Sequence, residues 1–183
     1  MHIILASASP NRKELLERIG LPFSVVVSNV CENVAPGLST AEYVMTLARQ
    51  KAESVAAAYP EACVIGADTV VDLDGRILGK PHTPENAKAF LSAMQGRKHL
   101  VYTGLAVSAR GVTAVDVEKT SVTFAPMSEE EIDWYVPLWS SWRARSCPVL
   151  LPCRVSKFEQ TYYHTGYAEM LHDKIRPCFF GGG

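Results

Sequence analysis

The first segment able to do chemistry lies near the amino end, where a short apolar run gives way to serines and then to cations. Ser7 and Ser9 precede Pro10, a residue typical of the first position of a helix, with Ser9 as the predicted N-cap. Arg12 and Lys13 then fall in the first helical turn, where the helix dipole disfavours cations. Hydroxyls, free backbone N–H groups and cations are the groups that bind phosphate. The segment therefore predicts a phosphate site, with a solvated helix start as the alternative.

A second candidate is Asp68, an acid inside the apolar, β-branched run of residues 63–71. A buried charge is costly unless it is paired or holds a cation. Gly66 and Ala67 remove side-chain bulk just before it, so we expect a ligand to approach the backbone there. The alternative is an aspartate at a strand end that caps a turn.

Three further charged residues are candidates for the same site. Lys80 precedes Pro81, whose stiff backbone helps to aim the ammonium group; taken alone, it is more simply a surface loop lysine. Lys51 lies on the apolar side of a predicted helix, from which it reaches either solvent or a phosphate. Glu32 is either a second carboxylate for a divalent ion or a solvated side chain, and carboxylates together with substrate phosphates are how Mg²⁺ is normally held.

The elements that must position these residues alternate between strands and helices. Strands are predicted at residues 3–5, 23–27, 63–71, 76–78, 100–108 and 112–124, and helices at 10–20, 41–58, 84–94 and 128–135. Asp74-Gly75 predicts a hairpin turn, and a capping box opens the last helix at Ser128. This alternation, without repeats, predicts an α/β fold with a mixed sheet.

Composition restricts the class of protein. The 183 residues suit one domain, or one elongated domain of two lobes, and a net charge of −1 argues against bulk binding to nucleic acid. No apolar run reaches the ~20 residues that cross a bilayer, so we expect a cytoplasmic protein that binds no membrane. The five cysteines form no CxxC pair and are expected to be free thiols. The serines lie outside any nucleophile elbow, which disfavours a serine hydrolase.

Together these segments resemble the Maf family of nucleoside triphosphate pyrophosphatases over residues 1–136. The resemblance is carried by LASASPNRKELLERIG (5–20), the glutamate in VVVSNVCEN (25–33), LARQKA (47–52), VIGADTVVDLDGRILGKP (64–81), the GR-x-H-x-V-x-TG pattern (96–104) and VTFAPMSEEEIDWYV (122–136). It implies a mixed, strongly twisted α/β sheet with flanking helices and a cleft between two lobes. It also implies hydrolysis of a nucleoside triphosphate to the monophosphate and pyrophosphate, with Mg²⁺ or Mn²⁺ as the divalent metal.

The resemblance carries roles onto individual residues. Asp68 matches the family's general base, and with Glu32 it is the implied metal ligand. The implied substrate-binding residues are Ser7, Asn11, Arg12, Glu32, Lys51, Thr69 and Lys80. A metal-associated water would attack the α-phosphorus, with Asp68 taking its proton or positioning the metal, while the cations neutralise phosphate charge.

Two positions bear on which base is accepted. Relatives acting on dTTP and UTP have arginine where this chain has Asn11, whereas those acting on methylated GTP tend to have tryptophan there and glutamine in place of Thr69. Thr69 follows the dTTP/UTP pattern and Asn11 follows neither, so dTTP or UTP is the expected substrate and methylated GTP the alternative. The oligomeric state stays open, with a homodimer as one alternative.

Residues 137–183 depart from the family. The expected glycine-rich segment of the type D-K-A-G-x-Y-G-I-Q-G is absent from the sequence, and the tail holds three of the five cysteines and two of the three tryptophans. We therefore divide the chain into a Maf-like domain (1–136) and a divergent tail (137–183), and hypothesise a shifted reading frame or an alternative terminal exon. A divergent but folded lobe is the alternative. The departure also leaves open a nucleotide-binding or regulatory protein that has lost turnover.

Overall fold

The computed structural model describes residues 1–30 and 34–142, and only the backbone of residues 138–142. The elements are β1 (Ile3–Leu5), α1 (Pro10–Arg18), β2 (Phe23–Val25), α2 (Thr40–Ala56), β3 (Cys63–Leu73), β4 (Arg76–Leu78), α3 (Pro84–Met94), β5 (Lys98–Ala109), β6 (Val112–Thr123) and α4 (Glu129–Trp142). Every predicted element is present in the predicted order. Within the described part of the chain, no helix is long and apolar enough to span a membrane.

The predicted mixed sheet is confirmed. Its strands lie in the order β2-β1-β3-β5-β6, and β4 pairs with β3. Strand β1 is parallel to both β2 and β3, whereas β5 runs antiparallel to β3 and to β6. Helix α4 continues beyond position 136 to Trp142, so the predicted domain boundary falls inside a helix. Residues 143–183 lie outside the described residues, and the hypotheses about the tail stay predictions.

One edge of β3 carries an open stretch between two short neighbours. Strand β5 occupies the other edge, pairing with residues 64–72. Strands β1 and β4 must therefore share the remaining edge, where β1 pairs with residues 63–65 and β4 with residues 71–73. Residues 66–70 are left without a strand on that edge within the described residues. We call residues 66–70 the open stretch of β3.

Apolar side chains cover both faces of the sheet, as the alternation along its strands requires. On one face, Leu16 of α1 packs with Ile65 and Leu105 in a buried cluster. On the other face, Ala48 and Ala52 of α2 pack with residues of β1, β3 and β5. The sheet is thus sandwiched between α1 and α2 beside the open stretch.

Helix α2 lies unusually close to the sheet because two glycines face it. A Cβ added at Gly66 would lie 2.4 Å from the carbonyl oxygen of Ala48, and one at Gly104 would lie 2.4 Å from that of Val44. The expectation that the missing bulk at Gly66 admits a ligand is therefore wrong, because the helix backbone fills that space. Ala67 points the other way, into the apolar cluster under α1.

Asp72 joins the β3–β4 hairpin to the start of α2. One of its carboxylate oxygens accepts a hydrogen bond from the Thr40 hydroxyl at 2.5 Å, and the other accepts one from the backbone N–H of Gly75 at 2.7 Å. The hairpin turn itself has positive φ at Asp74 (54°) and Gly75 (81°), as an Asp-Gly turn of this kind requires. Helix α2 begins with the capping box formed by Ser39 and Glu42. Asp72 therefore fixes the start of helix α2 relative to the β3–β4 hairpin.

Gly66→Ala is expected to lower the free energy of unfolding by about 1–3 kcal/mol, because the new methyl group would overlap the α2 backbone. Gly79→Ala is the matched control, since a Cβ at Gly79 meets nothing within 4 Å. Urea denaturation of both variants measures the difference. Equal stabilities would contradict the close packing described for α2.

His99 makes stability depend on pH. Its ring is buried and meets Phe124 edge-on, with centroids 4.8 Å apart. Burial lowers the pKa of His99 below its ordinary value of 6.5, opposed by a hydrogen bond with the backbone of Arg97. As the pH falls through 6.5, the unfolded chain therefore takes up a proton before the folded protein does.

The free energy of unfolding is thus expected to fall as the pH drops from neutral through this window, with a slope of up to about 1.4 kcal/mol per pH unit from this one group. His99→Gln cannot take up the proton, so its slope should be shallower. His82→Gln should keep the full slope, because His82 is exposed in the folded protein. Denaturant titrations across the pH range measure all three slopes, and identical slopes for the His99 variant and the parent would refute the assignment.

Candidate functional site

Two chain segments approach the open stretch of β3, one at each of its ends. After β1 ends at Leu5, the N–H of Ala6 donates to the carbonyl of Ile65 at 2.7 Å, and the chain then continues to Ser7. At the other end, β4 runs antiparallel to β3, so the chain leaves Leu78 in the direction of the open stretch, with Lys80 two residues further on. Ser7 and the chain segment that leads to Lys80, far apart in sequence, thus approach the same edge. This convergence locates the candidate site.

Arg12 reaches from the first turn of α1 to β3. Its Nη1 donates to the Ser7 hydroxyl oxygen at 3.2 Å, and its Nη2 donates to the Thr69 hydroxyl oxygen at 3.3 Å. Lys13 does not accompany it, because it pairs with Glu17 at 3.7 Å on the exposed side of the helix. Of the two predicted cations, only Arg12 therefore lies in the site.

Donors exceed acceptors around this guanidinium. The Ser7 oxygen accepts from Arg12 and also from the backbone N–H of Ser9 at 3.2 Å, so its own O–H remains to donate. Arg12 has further N–H groups beyond the two bound to hydroxyls. Ser9 is the N-cap of α1, as predicted, and its side chain makes no capping hydrogen bond. The start of α1 is consequently rich in N–H and O–H donors, which suits an anion.

Asp68 is paired with a cation on the opposite face of β3. The Nζ of Lys51 lies 2.5 Å from Asp68 Oδ1, and the two side chains are 15% and 12% exposed. Strand β3 continues to Leu73, so Asp68 is not the turn-capping residue at a strand end that the sequence left open. Lys51 turns inward from α2 to meet it. The buried charge is therefore compensated, as its cost requires.

The Lys51–Asp68 pair and the Arg12–Thr69 pair are close together because Asp68 and Thr69 are consecutive residues of β3. Asp68 and Thr69 point to opposite faces of the strand, yet their Cα atoms are only about 3.8 Å apart. Because both lie in the open stretch, a ligand at this edge can contact both faces. Asn11 is half-buried beside Arg12 in the first turn, and Lys80 is exposed. Glu32 lies outside the described residues.

The donor set suits a divalent cation that binds together with phosphate. No group of three or more His, Cys, Asp or Glu side chains that could hold a metal occurs among the described residues. Mg²⁺ does not require such a group, because one or two carboxylates plus phosphate oxygens and water normally complete its shell. Asp68 provides one carboxylate at the open stretch. The predicted second ligand, Glu32, cannot be placed within the described part of the chain.

The comparison with protein families places the chain in a known group. The model of the family described as "Maf-like protein" matches residues 2–146. The chain belongs to the Maf-like family. A dTTP/UTP pyrophosphatase of Bacillus cytotoxicus is 50% identical over 133 residues, covering 73% of this chain and 70% of that protein. A dTTP/UTP pyrophosphatase of Bacillus cereus is 49% identical over 134 residues, with the same coverage of both chains.

Solved structures show the same fold in more distant proteins. A HAM1 protein from Coxiella burnetii aligns with a TM-score of 0.52 and 17% identity, covering 96% of this Maf-like chain and 98% of that protein. A protein from Vibrio cholerae aligns with a TM-score of 0.51 and 14% identity, covering 96% of each chain. At these identities the similarity concerns the fold alone. It supports the mixed α/β architecture that the sequence predicts.

Thr103 is a further polar residue beside the site, and the sequence did not predict it. The Thr103 hydroxyl lies 3.1 Å from that of Thr69, across the ladder between β3 and β5. The GR-x-H-x-V-x-TG pattern contains this residue, but only the strand register shows that it faces Thr69.

Lys51→Met is expected to destabilise the protein by about 3 kcal/mol, because it leaves the Asp68 carboxylate buried without its cation. Adding Asp68→Asn to that variant should restore part of the loss, since no charge is then left unpaired. Lys88→Met is the control: Lys88 pairs with Glu129 and Asp133 at the surface, where solvent screens such pairs and their loss should change stability little. Thermal and urea unfolding measure these changes, and a double variant less stable than Lys51→Met would count against the pairing.

Proposed function

We propose that this chain hydrolyses a nucleoside triphosphate, dTTP or UTP in preference to others, to the nucleoside monophosphate and pyrophosphate. The observation that carries the proposal is one strand segment that presents a buried acid on one face and an anchored guanidinium on the other, at an open edge. Two dTTP/UTP pyrophosphatases that are about half identical to this chain over the matched residues support the same reaction. The predicted cytoplasmic location and the homodimer alternative stay predictions.

In the proposed reaction a water molecule attacks the α-phosphorus. A new bond forms between the water oxygen and phosphorus, the bond from phosphorus to the bridging oxygen of the β-phosphate breaks, and pyrophosphate leaves with that bridging oxygen. Asp68 accepts the water's proton. Because Lys51 holds Oδ1, the carboxylate is fixed in orientation before the substrate arrives.

The cations bind the phosphate chain, whose charge shifts toward the leaving group as the reaction proceeds. Arg12 presents the N–H groups that are not bound to Ser7 or Thr69, and the Ser7 hydroxyl has its hydrogen left to donate. Lys80 is exposed and arrives from the far end of the open stretch, so we assign it the outer part of the phosphate chain. Donors fixed before binding stabilise the developing charge without reorganising.

The predicted divalent cation would be held by Asp68 and Glu32 together with substrate phosphates. When bound, such an ion neutralises phosphate charge and lowers the pKa of water. Its identity as Mg²⁺ or Mn²⁺ is part of the proposal.

Thr69 favours dTTP or UTP over methylated GTP. Its short hydroxyl accepts from Arg12, an arrangement that the longer glutamine of the methylated-GTP relatives would not reproduce with the same geometry. Asn11, which replaces the arginine of the dTTP/UTP relatives, offers an amide without charge.

A second candidate function, a nucleotide-binding or regulatory protein without turnover, is favoured only by the departure of residues 137–183 from the family pattern.

The proposal is tested by following pyrophosphate release from dTTP, UTP, CTP and methylated GTP with Mg²⁺ or Mn²⁺. Release from dTTP or UTP is expected, and Asp68→Asn should lower kcat by about 10²–10⁴-fold through loss of the proton acceptor. Arg12→Ala should raise KM, whereas the neighbouring Lys13→Ala should leave both constants unchanged because Lys13 faces Glu17 and solvent. Binding without release would support the regulatory alternative, and release from methylated GTP alone would support the other specificity.

A further inference from the structure

Thr103 completes a chain of hydroxyls behind the candidate phosphate-binding arginine. Thr103 on β5 lies directly opposite Thr69 on β3, and their hydroxyl oxygens are 3.1 Å apart. Thr69 in turn accepts from Nη2 of Arg12, whose Nη1 is bound to Ser7. The guanidinium is therefore held at two points, one at the end of β1 and the other on the β3–β5 ladder.

We propose that Thr103 is a positioning residue, which orients the Arg12 guanidinium toward the phosphate chain of the substrate by fixing the hydroxyl of Thr69. This inference rests on the proposed function, because it takes Arg12 to be a phosphate-binding group. It adds a residue on β5 whose described hydrogen bond is to Thr69 and not to Arg12 or the acid.

The hydrogen bonds of Thr69 limit which hydroxyl hydrogens can still donate. An arginine N–H group can only donate, so the Thr69 oxygen accepts from Arg12. The two threonine hydroxyls carry one hydrogen each, and their mutual bond uses one of them. Whichever hydroxyl donates in that bond, the other hydrogen remains available. One hydroxyl hydrogen of the pair therefore stays unused, and it belongs to Thr69 in the arrangement in which Thr103 donates.

The mutual bond also fixes the direction of the Thr69 lone pairs. Threonine is restricted at χ1 by its branched Cβ, and the bond to Thr103 ties its hydroxyl to the neighbouring strand. Without Thr103, the Thr69 hydroxyl can rotate or turn to water, and one arm of the Arg12 fork loses its fixed acceptor. The guanidinium then spends part of its time away from the productive orientation.

The role is specific to the phosphate chain. Thr103 acts through Arg12, and an arginine that binds phosphates serves every nucleoside triphosphate alike. Loss of the Thr103 hydroxyl should therefore weaken the binding of dTTP, UTP and CTP by the same factor. It should weaken the binding of inorganic pyrophosphate, used as a competitive inhibitor, by a similar factor.

Thr103→Val keeps the shape and branching of the side chain while it removes the hydroxyl. It is expected to raise KM by about three- to ten-fold, the size expected for one lost hydrogen bond. The kcat should change by less than about two-fold, since the acid on the other face is untouched. Thr103→Ser should restore KM. Thr113→Val is the control, because Thr113 forms a similar hydroxyl pair with Ser108 at 3.1 Å at the other end of β5.

A double variant separates positioning from direct contact. In an Arg12→Ala background, Thr103→Val should have no further effect on KM, because there is no guanidinium left to orient. An undiminished effect in that background, or an effect that differs between bases, would overturn the proposal, as would a normal KM for Thr103→Val. If Thr103→Val fails to fold, Thr103→Ala carries the same test. A normal KM for Arg12→Ala would instead show that the proposed phosphate site itself is wrong, and this inference would fail with it.

Discussion

The open stretch of β3 determines what the rest of the fold has to do. Residues 66–70 pair with β5 on one edge and have no described strand on the other. This segment therefore belongs to an interior strand of the sheet and also lines the candidate site. Both short neighbours, β1 and β4, stop at its limits. Their chains then deliver Ser7 and Lys80 to the gap. A longer β1 or β4 would extend the sheet and close the gap.

An acid buried in such a strand is stable only if several packing requirements are met. Asp68 is 9% exposed and needs a cation close by, and the cation available is Lys51 on α2. The lysine reaches the acid because α2 lies close to the sheet, and α2 can lie that close because Gly66 and Gly104 have no side chain beneath it. The glycine in the motif around Asp68 therefore serves the acid indirectly, by admitting the helix that carries its partner.

Local signals in the sequence predicted most of the fold because they act over short distances. The Asp74-Gly75 turn, the capping box at Ser128 and the alternation of strands and helices depend on neighbours a few residues apart, and the structure has all of them. What the sequence left open or did not predict concerns contacts between distant segments. The role of Gly66 depends on where α2 packs, and the inward direction of Lys51 depends on what lies beneath that helix. Thr103 depends on the register of β5 against β3, which no local pattern encodes.

The division of cations between the two faces of β3 keeps the acid of the candidate site apart from Arg12, its candidate phosphate-binding group. Had Arg12 paired with Asp68, the carboxylate would have cancelled the positive charge of Arg12, and that charge would not have been available to a polyanionic substrate. Instead, Lys51 pairs with Asp68 on one face, while Arg12 is anchored on the other face by the hydroxyls of Ser7 and Thr69. Hydroxyl groups fix the direction of a guanidinium without cancelling its charge. The positive charge of Arg12 therefore remains available to a polyanion, and the alternation of side chains along one strand keeps the two pairs apart.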